Sequence, residues 1–214
     1  MKSEVDKSGT FAYNASGDPV SYTPLKFNPR SVKYEFRYDQ NRRLTDYIGY
    51  IPNNSAPAAF EFWTKYVYDN GNRVVRDTTF HFGAYGPTIT SFSNYRIITS
   101  YEYDSHERIS RTISRKWQND VPTGSVADYK FVYNDKGNLV VQGASPDENV
   151  SVYRTHRIWM FLSRNYSVNN VRKAKGYNSK GLPTAFPQNP QGSATLPFLQ
   201  FLDFSDCEIE YECK

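Results

Sequence analysis

Five times along this chain an aromatic-x-Tyr-Asp/Asn tetrapeptide is followed by a polar stretch and then an aliphatic residue. The clear copies open at Phe36-Arg37-Tyr38-Asp39, Tyr66-Val67-Tyr68-Asp69, Tyr101-Glu102-Tyr103-Asp104 and Phe131-Val132-Tyr133-Asn134. They close at Arg43-Leu44, Arg73-Val74, Arg108-Ile109 and Asn138-Leu139. A degenerate first copy, Phe11-Ala12-Tyr13-Asn14, has Pro19 where the aliphatic should stand, and a sixth, from Tyr177-Asn178 to Gly181-Leu182, lacks the leading aromatic. Residues two apart share one face of a strand, so each aromatic pair points together. The Asp or Asn that follows can bond backbone two residues on and start a turn. Gly17, Gly71, Gly137 and Gly181 fall where a positive φ is cheap. Each copy therefore reads as a β-hairpin, and the six together predict about ten to twelve antiparallel strands.

Composition agrees. The 214 residues include 18 Tyr, 14 Phe and 3 Trp, whereas Leu occurs 8 times and Ala 11, which excludes a helical bundle and favours pleated, aromatic-rich sheets. Turn-rich segments at 51–57, 83–87, 119–124 and 143–147 join the hairpins, so a meander has tight turns at one end and longer loops at the other. Irregular spacing excludes a strict solenoid. The fold expected is an all-β antiparallel meander curled into a barrel-like sheet, which removes its edges. Ile158, Phe161 and Leu162 interrupt the rhythm at helical spacing, predicting one short helix near 155–165 opened by a Thr or Ser cap. That helix either plugs a barrel mouth or packs outside. Residues 1–9 are expected to be disordered and residues 10–214 to form a single β domain. In the final Cys-Glu-Ile-Glu-Tyr-Glu-Cys, alternation predicts a strand with Cys207, Ile209, Tyr211 and Cys213 on one face and both thiols unpaired.

The hairpins resemble the YD repeats of large bacterial shell and toxin-delivery proteins. More closely, residues 10–186 resemble bacterial envelope lipoproteins of unassigned function, built from loose YD-like hairpins with a porin-like β fold. The irregular spacing, and Asn138 and Leu182 in place of the repeat's Arg, depart from a strict YD pattern. The resemblance implies location in the cell envelope or secretion, and it brings no catalytic residue with it. Met1 to Gly9 lacks an apolar signal core, so a signal or lipid-anchor segment is expected to lie outside this sequence.

Chemistry is thinly signalled. His81, His106 and His156 have no partners at metal spacing, and no nucleophile elbow, P-loop or dinucleotide fingerprint occurs, so no metal and no cofactor is expected. A net charge of +4 without a charged block argues against nucleic acid. A membrane-spanning barrel would need a lipid-facing band that Glu35, Arg37, Glu61, Lys65, Glu102 and Lys130 interrupt. The Asp39/Asp69/Asp104 and Arg43/Arg73/Arg108 series reads as turn caps, each Arg pairing with its Asp or lying over a tyrosine. Carrying the inward phase forward from Leu44, Val74 and Ile109 brings Asp46, Arg76 and Arg111 into one interior polar layer, a pocket for an anion. A β-bulge after each turn would instead send those charges outward, and this is the preferred reading. Tyr85, Tyr95, Trp117 and Phe186 lie off the core phase and are the aromatics available to a ligand. The function expected is a non-catalytic extracytoplasmic binding or scaffold protein, a monomer whose partner is a glycan or another envelope protein. The alternative is a carbohydrate-active enzyme with carboxylates in a loop-end cleft.

Overall fold

The computed structural model describes residues 9–24, 31–52, 58–141, 146–187 and 208–211. Nine strands form one antiparallel meander in which each pairs with its neighbours in sequence. They are β1 (Gly9–Tyr13), β2 (Pro19–Pro24), β3 (Lys33–Tyr38), β4 (Leu44–Ile51), β5 (Ala59–Tyr68), β6 (Val74–Ala84), β7 (Tyr95–Tyr103), β8 (Ile109–Gln118) and β9 (Val121–Lys130). A separate hairpin joins β10 (Gly176–Tyr177) to β11 (Pro183–Ala185), and the single α-helix among the described residues is α1 (Arg157–Ser163). The chain groups into two compact units, Met1–Tyr103 with Arg111–Lys130, and Asp104–Ser110 with Phe131–Lys214.

The meander is borne out, but the barrel is not. β1 and β9 end the strand order and do not pair with each other, so the sheet stays open and offers no barrel mouth for a helix to plug. The fifth hairpin adds no strand to the nine-stranded sheet. Among the described residues its two legs meet at the Tyr133–Leu139 bridge and at the Val140 N–H bond to the Val132 carbonyl, 2.8 Å. The outer strand β9 carries Pro122, Gly124 at φ 70° and Lys130, features that discourage further pairing at an edge.

In the first unit both faces of the sheet carry apolar side chains. On one, the rings of Phe11, Tyr22, Tyr34, Phe36, Tyr47 and Phe62 follow one another at centroid spacings of 4.8–6.1 Å. Gly49 sits under the Phe62 ring, where a Cβ would lie 2.3 Å from a ring carbon. On the other face Ile48, Phe60 and Trp63 are buried beneath Tyr50, Phe80, Tyr85 and Ile89. Burying each such large side chain stabilises the fold by about 1.5–3 kcal/mol. The register shift between Gly49 and Tyr50 carries Phe60 onto the Trp63 face.

The second unit relies more on amides. Asn138, Asn165, Asn170, Ser151 and Ser167 are buried in it. Asn170 donates to the Asp147 carboxylate and the Val150 carbonyl and accepts the Val152 N–H, while Asn138 and Asn169 bond each other side chain to side chain and side chain to backbone. The helix cap differs from expectation. Nδ1 of His156, not a Thr or Ser hydroxyl, accepts the Ile158 N–H at 3.2 Å, because His156 stands at the N-cap; the Thr155 hydroxyl donates to the Val152 carbonyl in the preceding turn. Near the chain end, Glu208 bridges Ala185 and the Ile209 N–H bonds the Thr184 carbonyl. Ile209 packs on Val152, Ala174 and Phe186 while Glu208 and Glu210 are exposed, the alternation expected, but residues 208–211 form a single bridge and not the predicted strand; Cys207 and Cys213 lie outside the described residues.

Candidate functional site

The six turns are copies of one structure. Asn14, Asp39, Asp69, Asp104, Asn134 and Asn178 each accept, at Oδ1, the backbone N–H two and four residues on, at 2.8–3.1 Å. The backbone N–H of the same residue donates to the carbonyl four residues on, at 2.9–3.0 Å. The fourth residue of each turn takes a positive φ: Gly17, Arg42, Asn72, Glu107, Gly137 and Gly181, between 59° and 81°. The expectation at Gly71 is therefore off by one, since Asn72 takes the left-handed place. Aspartate adds an ion pair to its own arginine, Asp39–Arg43, Asp69–Arg73 and Asp104–Arg108, at 2.7–2.9 Å. Backbone N–H donation from Arg43 and Arg73 chiefly holds Asp39 and Asp69 below the usual carboxylate range. At Asp104 burial works upward, and the Arg108 and backbone donors outweigh it.

Successive hairpins are then laced together. Each tyrosine hydroxyl reaches back to the preceding return strand, Tyr38 to Pro19, Tyr68 to Leu44 and Tyr103 to Val74, at 2.7–2.9 Å. Each arginine lies over the next tyrosine: Arg43 over Tyr68 at 5.1 Å, Arg73 over Tyr103 at 5.7 Å and, within the second unit, Arg108 over Tyr133 at 4.1 Å. The turn-end charges are thus consumed by the frame.

The bulge after the turn is present and decides the fate of the polar layer. Tyr38 pairs with Leu44 but Arg37 with Asp46, and Tyr68 with Val74 but Val67 with Arg76, so one extra residue shifts the phase. Asp46, Arg76 and Arg111 accordingly leave the face of Leu44 and Val74 and line no common interior. Arg76 is exposed, and Arg111 is half-buried between Glu102 and Asp128, at 3.1 and 2.7 Å. Asp46 alone is buried, because Trp63 Nε1 and the Lys65 ammonium both donate to its Oδ1 at 2.6 Å. Burial pulls its pKa up, but those donors hold it below the usual value.

Toward the long-loop end of the same face stands a denser cluster. The Arg37 guanidinium lies 4.8 Å above the Trp63 ring, pairs with Glu35 at 2.6 Å, and donates to the Pro87 and Gly86 carbonyls at 2.9 and 3.0 Å. Tyr85 stacks on Tyr50 with centroids 4.1 Å apart and donates to the other Glu35 oxygen. Burial, then the Glu35 carboxylate, pushes the Tyr85 phenol upward. The chain after β6 is thereby strapped down over Trp63.

The four aromatics singled out for a ligand do not converge. Tyr85 forms this strap and Tyr95 opens β7 with its ring 5.0 Å from His81. Trp117, in β8, is half-buried under the Arg96 guanidinium at 5.7 Å, with Asp120 holding Arg96 from beyond. Phe186 is 9% exposed and belongs to the core of the second unit with Val152 and Ala174. Sequence alternation passed over Phe82. Its backbone is left-handed, φ 51°, and its ring is 66% exposed, more than any other large apolar side chain described. Only its place beside Gly83 hinted at irregular backbone there.

Among the described residues no three His, Cys, Asp or Glu side chains converge as a metal site, and no helix is long and apolar enough to cross a membrane. Compared with models of protein families and with curated proteins, the sequence matches none.

Proposed function

We propose that this is a non-catalytic extracytoplasmic protein that binds or scaffolds through the long-loop end of its nine-stranded sheet. The observation that carries the reading is the division of labour between the two ends. At the turn end, acids and arginines are locked in each other's company and over tyrosines. At the loop end, by contrast, partly exposed rings stand among polar groups: Tyr85, Phe92 and Trp117, with Phe82 beyond them. Rigid aromatic side chains with polar neighbours are the usual currency of binding surfaces. On this face Glu35 is held by Arg37 and Tyr85, at the loop end Asp120 pairs with Arg96, and Asp46, closer to the turns, is held by Lys65 and Trp63. They brace the surface and are not poised for acid–base work. Placement in the cell envelope or outside the cell rests on the resemblance of the hairpins.

The test is a combined glycan and lipid array on the purified protein, repeated with Tyr85→Ala and Trp117→Ala. Binding that weakens in either variant supports the reading. Binding that survives both, or turnover of a glycan, overturns it.

A further inference from the structure

The segment leaving β6 and entering β7 differs in chemistry from the rest of the sheet. From Thr78 to Tyr95 there is no Asp, Glu, Lys or Arg, in a chain that is 22% charged. The exposed residues at its crest are Phe82, Pro87, Thr88, Thr90, Ser91, Phe92 and Asn94, two rings among hydroxyls and an amide. Aromatic, serine, glycine and asparagine residues are what binding loops use for rigid contact area and adaptable hydrogen bonding.

The backbone beneath is built to present them. The Ser93 N–H donates to both the His81 and Phe82 carbonyls, at 3.0 and 2.9 Å, and the Ser93 hydroxyl donates to His81 at 2.8 Å. The Ser91 hydroxyl accepts the Ala84 N–H at 3.3 Å, and Phe92 packs edge-on against Phe80 with centroids 4.7 Å apart. This clasp holds Phe82 in a left-handed conformation that bulky residues rarely adopt, and it turns the ring to water, where the hydrophobic effect gains nothing. Strain of this kind persists only where the surroundings impose it, and it clusters at binding sites.

We infer that the β6–β7 crest, with Phe82 as its contact ring, is a binding site for an uncharged saccharide chain. Pyranose rings offer an apolar face for the phenyl rings and a rim of hydroxyls for Thr88, Thr90, Ser91 and Asn94. A site without charge selects against polyanionic glycans and against partners that dock by ion pairs. The proposal rests on the loop end being the contact surface and names its ligand class.

Phe82→Gly tests it, because glycine suits the left-handed backbone while removing the ring. Affinity electrophoresis and titration calorimetry against dextran, xylan and mannan, with heparin and alginate as charged counterparts, would be run on the wild type, Phe82→Gly and Phe92→Ala. The expected result is retention by a neutral polysaccharide that falls at least tenfold in Phe82→Gly while its Tm holds or rises. Unchanged retention in Phe82→Gly, or retention by the charged polymers alone, overturns the proposal. So does capture only of a protein partner. If no neutral polysaccharide is retained but the array shows binding lost in Tyr85→Ala, the saccharide site falls and the loop-end reading stands.

Discussion

Replacing Asp104 separates the two jobs that the repeat assigns to its acidic residue. Its Oδ1 accepts the His106 and Arg108 N–H groups at 2.9 and 3.0 Å, and its Oδ2 holds the Arg108 guanidinium at 2.7 Å. Asp104→Ala removes all three and releases Arg108 from its fixed place over Tyr133. Two cap-like hydrogen bonds at about 0.5–1 kcal/mol each and a partly exposed ion pair of up to about 1 kcal/mol give a loss of about 1–3 kcal/mol. For a chain of 214 residues that is a Tm decrease of roughly 2–12 °C. Asp104→Asn keeps the Oδ1 acceptor, as Asn14, Asn134 and Asn178 do in their own turns, and should lose only the ionic share, about 0.5–1 kcal/mol. Urea denaturation followed by tyrosine and tryptophan fluorescence reads both variants. Equal losses in the two would refute the reasoning, because charge and not acceptor geometry would then hold the turn.

Three further outcomes follow from the same geometry. Glu107→Gly should stabilise by about 0.5–1 kcal/mol, since an exposed residue at φ 59° gives way to one that adopts this backbone freely; thermal unfolding checks it. Arg37→Met keeps apolar cover on Trp63 but leaves the Glu35 carboxylate and two carbonyls short of a donor. It should cost about 2–3 kcal/mol and shift Trp63 emission to the red as the chain over it loosens. Asp39, Asp69, Asp104 and Asp128 titrate lower in the folded chain than their ordinary 3.8, so the stability they contribute is complete above about pH 4 and is lost as pH falls through the native values. Urea midpoints should therefore drop between pH 5 and pH 3, and less so in Asp104→Asn.

The turns were legible in the sequence because their causes are local: an Asp or Asn, its neighbours' N–H groups and a fourth residue at positive φ. The pairing of Arg with Asp and its stacking on a tyrosine was likewise anticipated, although not that the tyrosine belongs to the next hairpin. The bulge and the outward turn of Arg76 were legible, but the burial of Asp46 was not. That Asp46 nonetheless ends up buried depends on Trp63 and Lys65 of a neighbouring strand. The barrel expectation failed because closure requires β1 and β9 to pair, and those strands are more than a hundred residues apart, with nothing local to mark the outcome. Phe186 read as a free loop aromatic because its partners, Val152 and Ala174, are distant in sequence. Phe82 hid within an alternating Phe-His-Phe stretch, where the left-handed backbone is imposed by Ser93 across the loop.

The central claim is that the repeat is a ladder in which each arginine couples its own turn to the next tyrosine. A double-mutant cycle of Arg108→Met and Tyr133→Leu, on the closest of the three stacks at 4.1 Å, tests it most directly. The result expected is a double-mutant loss about 0.5–1 kcal/mol smaller than the sum of the single losses, as for a partly exposed cation–π pair. Additive losses, with no coupling between the two positions, would contradict the ladder.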